Sequence, residues 1–470
     1  MEFLMQSLLI TVITMVASVY VLQKRRTGGT KTLPPGSFGW PLMGETFQFL
    51  FLKSEHFIQE RVKKYSSQNF HTNILGEPTV VLSGPAANKF VSTNETKLLK
   101  VWYMKTQRRF FNIPDQKIHA PKQEPASSAP VKILGILRPE GIARYMGNKV
   151  ESTMHQHFTT HWEGKTEVKV YPLVKAFSLT LASQFFLGID EPKLATEFEH
   201  LYFGIYSAPV NFPGSSYRRA LKASSAIRKE IQFLIKEKIE ALSKGQVVDD
   251  LLAHVVGAEQ GGKYVPRIQI SNIIMGMMNS SHMPIAITLA FMIKHIGQRP
   301  DIYQKIVSEH AGVTKLKRSG AALDWDSIQK LKYTWAVAQE TMRLYPTAPG
   351  VFREVITDIT YEGFTIPKGW KIFWSLVGTN KDPNHFPKPE SFDPSRFEGN
   401  NILPAPYTWI PFGAGPRSCP GQDYTRFVVL NFIHILINKF KWEVTVPDEK
   451  VSEGLIPTPA EGVSIRLYHR

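Results

Sequence analysis

The chain has a single cysteine, Cys419, in the stretch "WIPFGAGPRSCPGQD" between Trp409 and Asp423. One thiol cannot close an intramolecular disulfide or build a multi-cysteine zinc or iron–sulfur site. The fold must therefore rest on a hydrophobic core, and 470 residues at 43% hydrophobic content are enough for one. The run after the cysteine, "DYTRFVVLNFIHILINKF" (Asp423–Phe440), is apolar over most of its circumference. It reads as a buried helix with Pro420 in its first turn. At the positive end of that helix the Cys419 sulfur is expected to favour thiolate over thiol. Gly413, Gly415 and Gly421 remove side-chain bulk, so a large flat ligand can approach the backbone. Arg417, two residues before the sulfur, stands ready for an anionic group on that ligand.

The other end of the chain constrains topology. Phe3–Leu22 is 20 residues without a charge, and as a helix it spans about 30 Å, one bilayer core. Lys24, Arg25 and Arg26 follow and place the rest of the chain on the cytoplasmic side. The expected organisation is a transmembrane anchor at 3–22, a basic and proline-rich linker at 23–45 with a Pro34-Pro35-Gly36 elbow, and one large domain at 46–470. Helical spacing in Ser54–Gln68 and Ile231–Gly245 alternates with strand patterns, first in Phe70–Gly84 around a Gly76-Glu77-Pro78 turn. A second strand pattern lies in Tyr361–Ser375. The fold class is thus mainly α with small β-sheets. A net charge of +16 suits anionic lipid and an acidic protein partner, and no nucleic-acid motif accompanies it. Asn94-Glu95-Thr96 matches a glycosylation triplet that would stay unmodified on the cytoplasmic side.

Phe412, Gly415, Arg417, Cys419 and Gly421 satisfy Phe-x-x-Gly-x-Arg-x-Cys-x-Gly. This resembles the haem-binding signature of the cytochrome P-450 superfamily, the haem-thiolate monooxygenases. The resemblance implies that Cys419 is the metal ligand of haem b (iron protoporphyrin), that Arg417 pairs with a propionate, and that Phe412 packs near the sulfur, with Gly415 and Gly421 giving room. "APGVFREV" supplies Arg353 as a second propionate partner. "QETMRLYP" and "FDPSRF" resemble the segments that carry a structural triad, here Glu340, Arg343 and Arg396. "LKYTWAVAQETMRLYP", "YEGFTIPKGWK" and "PFGAGPRSCPG" look like the plant branch that oxidises triterpenoids, taxane-type diterpenoids and steroid-like hormones. That branch implies a P-450 fold behind one transmembrane helix and a hydrophobic terpenoid or steroid-like substrate. It also implies dioxygen, electrons from NADPH through a flavin reductase, and a single-pass endoplasmic reticulum protein with its catalytic domain in the cytoplasm.

The oxygen-side helix departs from that pattern. Family members carry small-small-x-acid-Thr, and this chain has Ser280-Ser281-His282-Met283-Pro284. Pro284 is expected to kink the helix, leaving neighbouring serines or water to satisfy the Ser280 carbonyl. Ser281 and Thr288 are the remaining catalytic hydroxyls, with His282 a weaker candidate for proton relay. The departure keeps two alternatives open beside monooxygenation: an isomerase or dehydratase that needs no NADPH, and a haem-binding protein with little turnover. A second departure is Asn112–Leu134, whose prolines at 114, 121, 125 and 130 preclude a helix. Lys132 or Arg108-Arg109 would have to replace that helix's propionate contacts.

Overall fold

The computed structural model of the chain describes residues 14, 32–40, 43–52, 54–114, 135–190, 194–246, 250–257, 266–314, 322–399, 405–452 and 454–470. The expected anchor at 3–22 (Thr14 apart), the basic cluster of the linker, and 115–134 with Lys132 lie outside them.

Helices α1 (Thr46–Phe51) and α2 (Ser54–Tyr65) lead into strands β1 (Phe70–Ile74) and β2 (Glu77–Leu82). Next come α3 (Pro85–Asn94), β3 (Leu99–Val101), α4 (Lys105–Phe110), α5 (Pro139–His161), β4 (Glu167–Lys169) and α6 (Val170–Phe186). A helical stretch follows: α7 (Ala195–Gly204), α8 (Ser216–Ser243), α9 (Leu251–Gly257), α10 (Arg267–Gln298), α11 (Pro300–Thr314), α12 (Trp325–Lys330) and α13 (Lys332–Leu344). Strands β5 (Gly350–Val355), β6 (Ile359–Tyr361), β7 (Phe364–Ile366) and β8 (Lys371–Ser375) precede α14 (Gln422–Lys439), β9 (Phe440–Val444) and β10 (Ser464–His469).

The strands form a five-stranded sheet in the order β1-β2-β8-β5-β3, a three-stranded sheet β4-β10-β9 and the hairpin β6-β7. The β1–β2 turn is not at Gly76-Glu77-Pro78 as the sequence suggested. Ile74 pairs with Glu77, and Leu75 and Gly76 make the turn with φ of 58° and 79°. Pro78 is tolerated inside β2 because pairing with β8 begins only at Thr79. Helix α8 closes as its glycine predicts, with Gly245 at φ 73° and the Gln246 N–H returned to the Ala241 carbonyl at 3.1 Å.

The core is organised around α10, which packs on α6, α8 and α14. It is long and apolar enough to cross a membrane, but most of it is buried inside the protein. It continues as α-helix through Pro284, because apolar side chains on both sides, among them Ile274, Met278, Ile285 and Leu289, are fully enclosed. The opposite departure occurs at α14. Its first helical residue is Gln422 and its N-cap is Gly421, so Pro420 lies before the helix rather than in its first turn.

One buried ionic network fixes the segment between β8 and the cysteine loop. Glu340 and Arg343 are both 0% exposed. Arg343 Nε donates to Glu340 Oε2 at 2.7 Å, and Nη2 to Oε1 at 2.8 Å. Its Nη1 donates to the carbonyls of Asn380 and Pro389 at 2.6 and 2.7 Å. Arg396 approaches Glu340 Oε1 at 3.4 Å and donates through Nη2 to the Pro387 carbonyl at 2.6 Å. Glu340→Ala leaves the Arg343 guanidinium buried without its counter-ion. We expect a loss of about 3–5 kcal/mol in urea unfolding, and a loss below about 1 kcal/mol would show that the pair is dispensable.

Candidate functional site

The cysteine loop is a tight reversal closed by backbone bonds. The Cys419 N–H donates to the Phe412 carbonyl at 2.7 Å, Gly413 N–H to Ile410 at 2.9 Å, and Ser418 N–H to Gly415 at 3.1 Å. Gly415 has φ 79°, and a Cβ there would stand 2.4 Å from the Ser92 carbonyl of α3, so the loop is pressed against α3 at a point only glycine allows. Phe412 stacks on Trp335 of α13 with ring centroids 6.4 Å apart.

The sulfur itself faces a hollow. Burial pushes the Cys419 thiol up from its ordinary value, opposed by a hydrogen bond from the Gly421 N–H. In the absence of a cation, only one of the backbone donors expected to favour the thiolate opposes that burial. The helix starts three residues later than the sulfur, so one N–H reaches it while apolar walls desolvate it. Ligation by a cation would reverse the balance, because a coordinating thiol is deprotonated by the metal.

Two hollows of about 570 and 370 Å³ meet at Cys419, with Gln107, Ile205, Asn279, Ser280 and Thr425 common to both. The larger is lined mainly by apolar side chains such as Phe111, Leu137, Phe186 and Met277. The smaller carries Arg353, Arg417 and Phe412. Arg417 has no hydrogen bond or ion pair with another described residue. Arg353 is already held: its Nε donates to Glu95 Oε1 at 2.6 Å, its Nη2 contacts the same oxygen, and its Nη1 donates to the Phe352 carbonyl at 2.9 Å. Glu95 was read only as part of a glycosylation triplet, and its partner lies 258 residues away in sequence. A thiol with an open face, apolar walls and two guanidiniums on one side suit haem, whose flat ring is apolar and whose edge carries carboxylates.

Helix α10 forms the facing wall. Ser281 lines the larger hollow and Thr288 the smaller. Each hydroxyl donates to a helix carbonyl, Ser281 to Met278 at 3.1 Å and Thr288 to Pro284 at 2.9 Å. Ser281 therefore does not serve the Ser280 carbonyl, against expectation. His282 and Met283 are buried and line neither hollow. His282 Nδ1 bonds the Met278 carbonyl at 2.8 Å and its ring meets Phe198 edge-on at 5.8 Å, so it is turned away from the sulfur. Asn279, which no motif marks, and Ser280, expected only as the first residue of the departing motif, line both hollows. Arg108 and Arg109 belong to α4 and line neither hollow, whereas Gln107 of the same helix is one of the residues common to both.

A cytochrome P450 family model matches residues 182–465. Beta-amyrin 28-monooxygenase of Medicago truncatula is 40% identical over 447 residues, which is 93% of this chain and 92% of that protein. The protein of the same name from Vitis vinifera is 40% identical over 479 residues, 99% of this chain and 98% of its own. Beta-amyrin 6-beta-monooxygenase of Solanum lycopersicum is 38% identical and covers 96% of both chains. Among solved structures, cyanobacterial CYP120A1 bound to retinoic acid superposes with a TM-score of 0.82 at 24% identity, over 94% of this chain and 100% of that one.

Burial holds the His282 imidazole down at about 4. The unfolded chain takes up that proton near 6.5, so between 6.5 and 4 the unfolded state binds more protons and stability falls as the pH drops. His157, His295 and His310 are pushed down to about 3 by the same cause. In urea midpoints from pH 7.5 to 4.5, His282→Leu should lose less stability with acid than the parent, by up to about 1.4 kcal/mol per pH unit. Parallel curves would show that His282 is protonated in the fold.

Proposed function

On the premise that this chain belongs to the cytochrome P450 family, we propose that it is a haem-thiolate monooxygenase that oxidises a triterpenoid. The observation that carries this is Cys419 at the meeting point of two hollows, with Arg353 and Arg417 on one of them. Cys419 holds the iron through its thiolate, and Gly421 supplies a hydrogen bond to that sulfur. Arg417 and Arg353 take the haem carboxylates, Phe412 covers the loop side, and Gly415 keeps the loop against α3. Thiolate-ligated haem supplies dioxygen activation and oxygen insertion, with electrons from NADPH through a flavin reductase. The chain's own part is to orient an apolar polycyclic substrate against the apolar walls and to exclude bulk water. Ser281 and Thr288 offer oxygens for moving a proton, provided the hydrogen each now gives to a helix carbonyl is re-aimed.

The structural roles fall to Glu340, Arg343 and Arg396. We also assign residues 3–22 to a single-pass endoplasmic reticulum anchor, 23–45 to its linker and 46–470 to the cytoplasmic catalytic domain. Support for a membrane-facing side comes from Trp40, Phe47, Phe51 and Phe212, which are 76, 54, 64 and 56% exposed. Phe47 stacks on Phe51 with ring centroids 6.1 Å apart and borders one hollow together with Met43 and Val210, an apolar grouping suited to lipid.

A second reading, an isomerase or dehydratase independent of NADPH, is favoured by Met283 and Pro284 standing in the acid and alcohol positions. Microsomes carrying the protein and a plant flavin reductase, given beta-amyrin, should form an oxidised triterpenoid only with NADPH. A rearranged or dehydrated product without NADPH would establish the second reading. Reduced protein under carbon monoxide should show the red-shifted band of thiolate-ligated haem, and Cys419→Ser should lose it. Survival of that band in the variant would remove the basis of the assignment.

A further inference from the structure

Helix α10 carries a polar notch that the monooxygenase reading leaves unused. Asn279 is 4% exposed, and its Oδ1 is fully buried without a hydrogen-bond partner. A buried amide oxygen left unpaired costs about 1–3 kcal/mol, so it calls for a donor. Its neighbour Ser280 faces the hollow, and both residues line both cavities where they meet at Cys419. One turn further on, Pro284 has no N–H to return to the Ser280 carbonyl. The neighbouring side-chain donors on α10 itself are committed elsewhere. Ser281 and His282 both bond the Met278 carbonyl, at 3.1 and 2.8 Å, and Thr288 bonds the Pro284 carbonyl at 2.9 Å. The notch thus brings together a carboxamide oxygen without a partner, a hydroxyl and a helix carbonyl lacking its usual partner, with Gln107 and Thr425 the other polar residues common to both hollows.

We propose that Asn279, with Ser280 beside the Pro284 break, is a binding site for a hydroxyl group carried by an apolar polycyclic ligand. A hydroxyl matches the notch because it accepts from Ser280 and, once the Asn279 amide turns its enclosed oxygen toward the hollow, donates to that oxygen. A site with buried polar groups rejects an analogue that lacks the hydroxyl, since the protein groups are then left unpaired. The proposal rests on the triterpenoid reading and extends it. A hydroxyl seated there brings the ring that carries it to the junction at Cys419.

The test is equilibrium dialysis of the holoenzyme against beta-amyrin and against its deoxy hydrocarbon, in the parent, in Asn279→Leu and in Ser280→Ala. The parent should bind the alcohol about tenfold more tightly than the hydrocarbon. Asn279→Leu should bring the alcohol down to the hydrocarbon's affinity while leaving the hydrocarbon within about twofold, and Ser280→Ala should lose part of the preference. The carbon monoxide band of each variant checks that the haem site is intact. Equal affinities in the parent, as expected if the notch holds water alone, or a preference that survives Asn279→Leu, would overturn the proposal with the triterpenoid reading untouched. If neither triterpene binds, that reading falls instead, and the same comparison with a sterol and its deoxy sterane decides the notch.

Discussion

Two opposite charges with no access to solvent, Glu340 and Arg343, set the frame of this protein. Removing such a pair from water costs several kcal/mol per ion, which only good geometry and further hydrogen bonds offset. Here the further bonds come from a different part of the chain: the carbonyls of Asn380, Pro389 and Ser391, and the Asp393 N–H returned to Glu340 Oε1 at 2.9 Å. The network therefore dictates where residues 380–396 run. The order passes on through Phe397, whose ring meets Trp409 at 4.6 Å, to Ile410, whose carbonyl receives Gly413 at the head of the cysteine loop. The sulfur is thus positioned by a charge pair that lines neither hollow.

The facing wall obeys a different constraint. Proline in a helix interior removes one hydrogen bond and crowds the preceding turn, about 3 kcal/mol or more. Helix α10 remains helical through Pro284 because burial on several sides outweighs that loss; each enclosed Ile, Leu or Met contributes about 1.5–3 kcal/mol. The defect is confined to Ser280–Pro284, and both of those residues border the smaller hollow. The helix lacks a backbone hydrogen bond where a cavity borders it, and keeps its full ladder where neighbours pack.

What was legible in the sequence follows from this division. The cysteine loop could be read because its chemistry requires glycines, an arginine and a thiol within one short stretch. The hairpins and the α8 stop could be read because turns and caps are local. The start of α14 and the β1–β2 turn were misplaced by one to three residues, since a proline or glycine marks a boundary without fixing its phase. Glu95 was invisible as a functional residue, because the strand order that brings β3 beside β5 also brings it to Arg353. Asn279 carries no signal for a different reason: the departures legible in the spacing are the missing acid and alcohol at Met283 and Pro284, one turn later. An unpaired Oδ1 is a property of packed neighbours that no spacing rule contains.

Glu95 also changes how the two arginines of the smaller hollow act. Arg353 is 6% exposed and its guanidinium is fixed by Glu95 before any ligand arrives, so little further side-chain entropy is lost when it meets a carboxylate. Arg417 is exposed on the loop, without a described partner, and must be ordered on binding. Three of the five Arg353 donors are engaged, leaving N–H groups for a ligand carboxylate, while the Glu95 charge offsets one of the two positive charges. A group with two carboxylates would then meet one contact held and partly neutralised by Glu95 and one with no described partner. In the haem reading, the Arg353 guanidinium would fix the orientation of one carboxylate, and Arg417, two residues from the sulfur in the same loop, would take the other and so tie the ring's edge to the placement of Cys419.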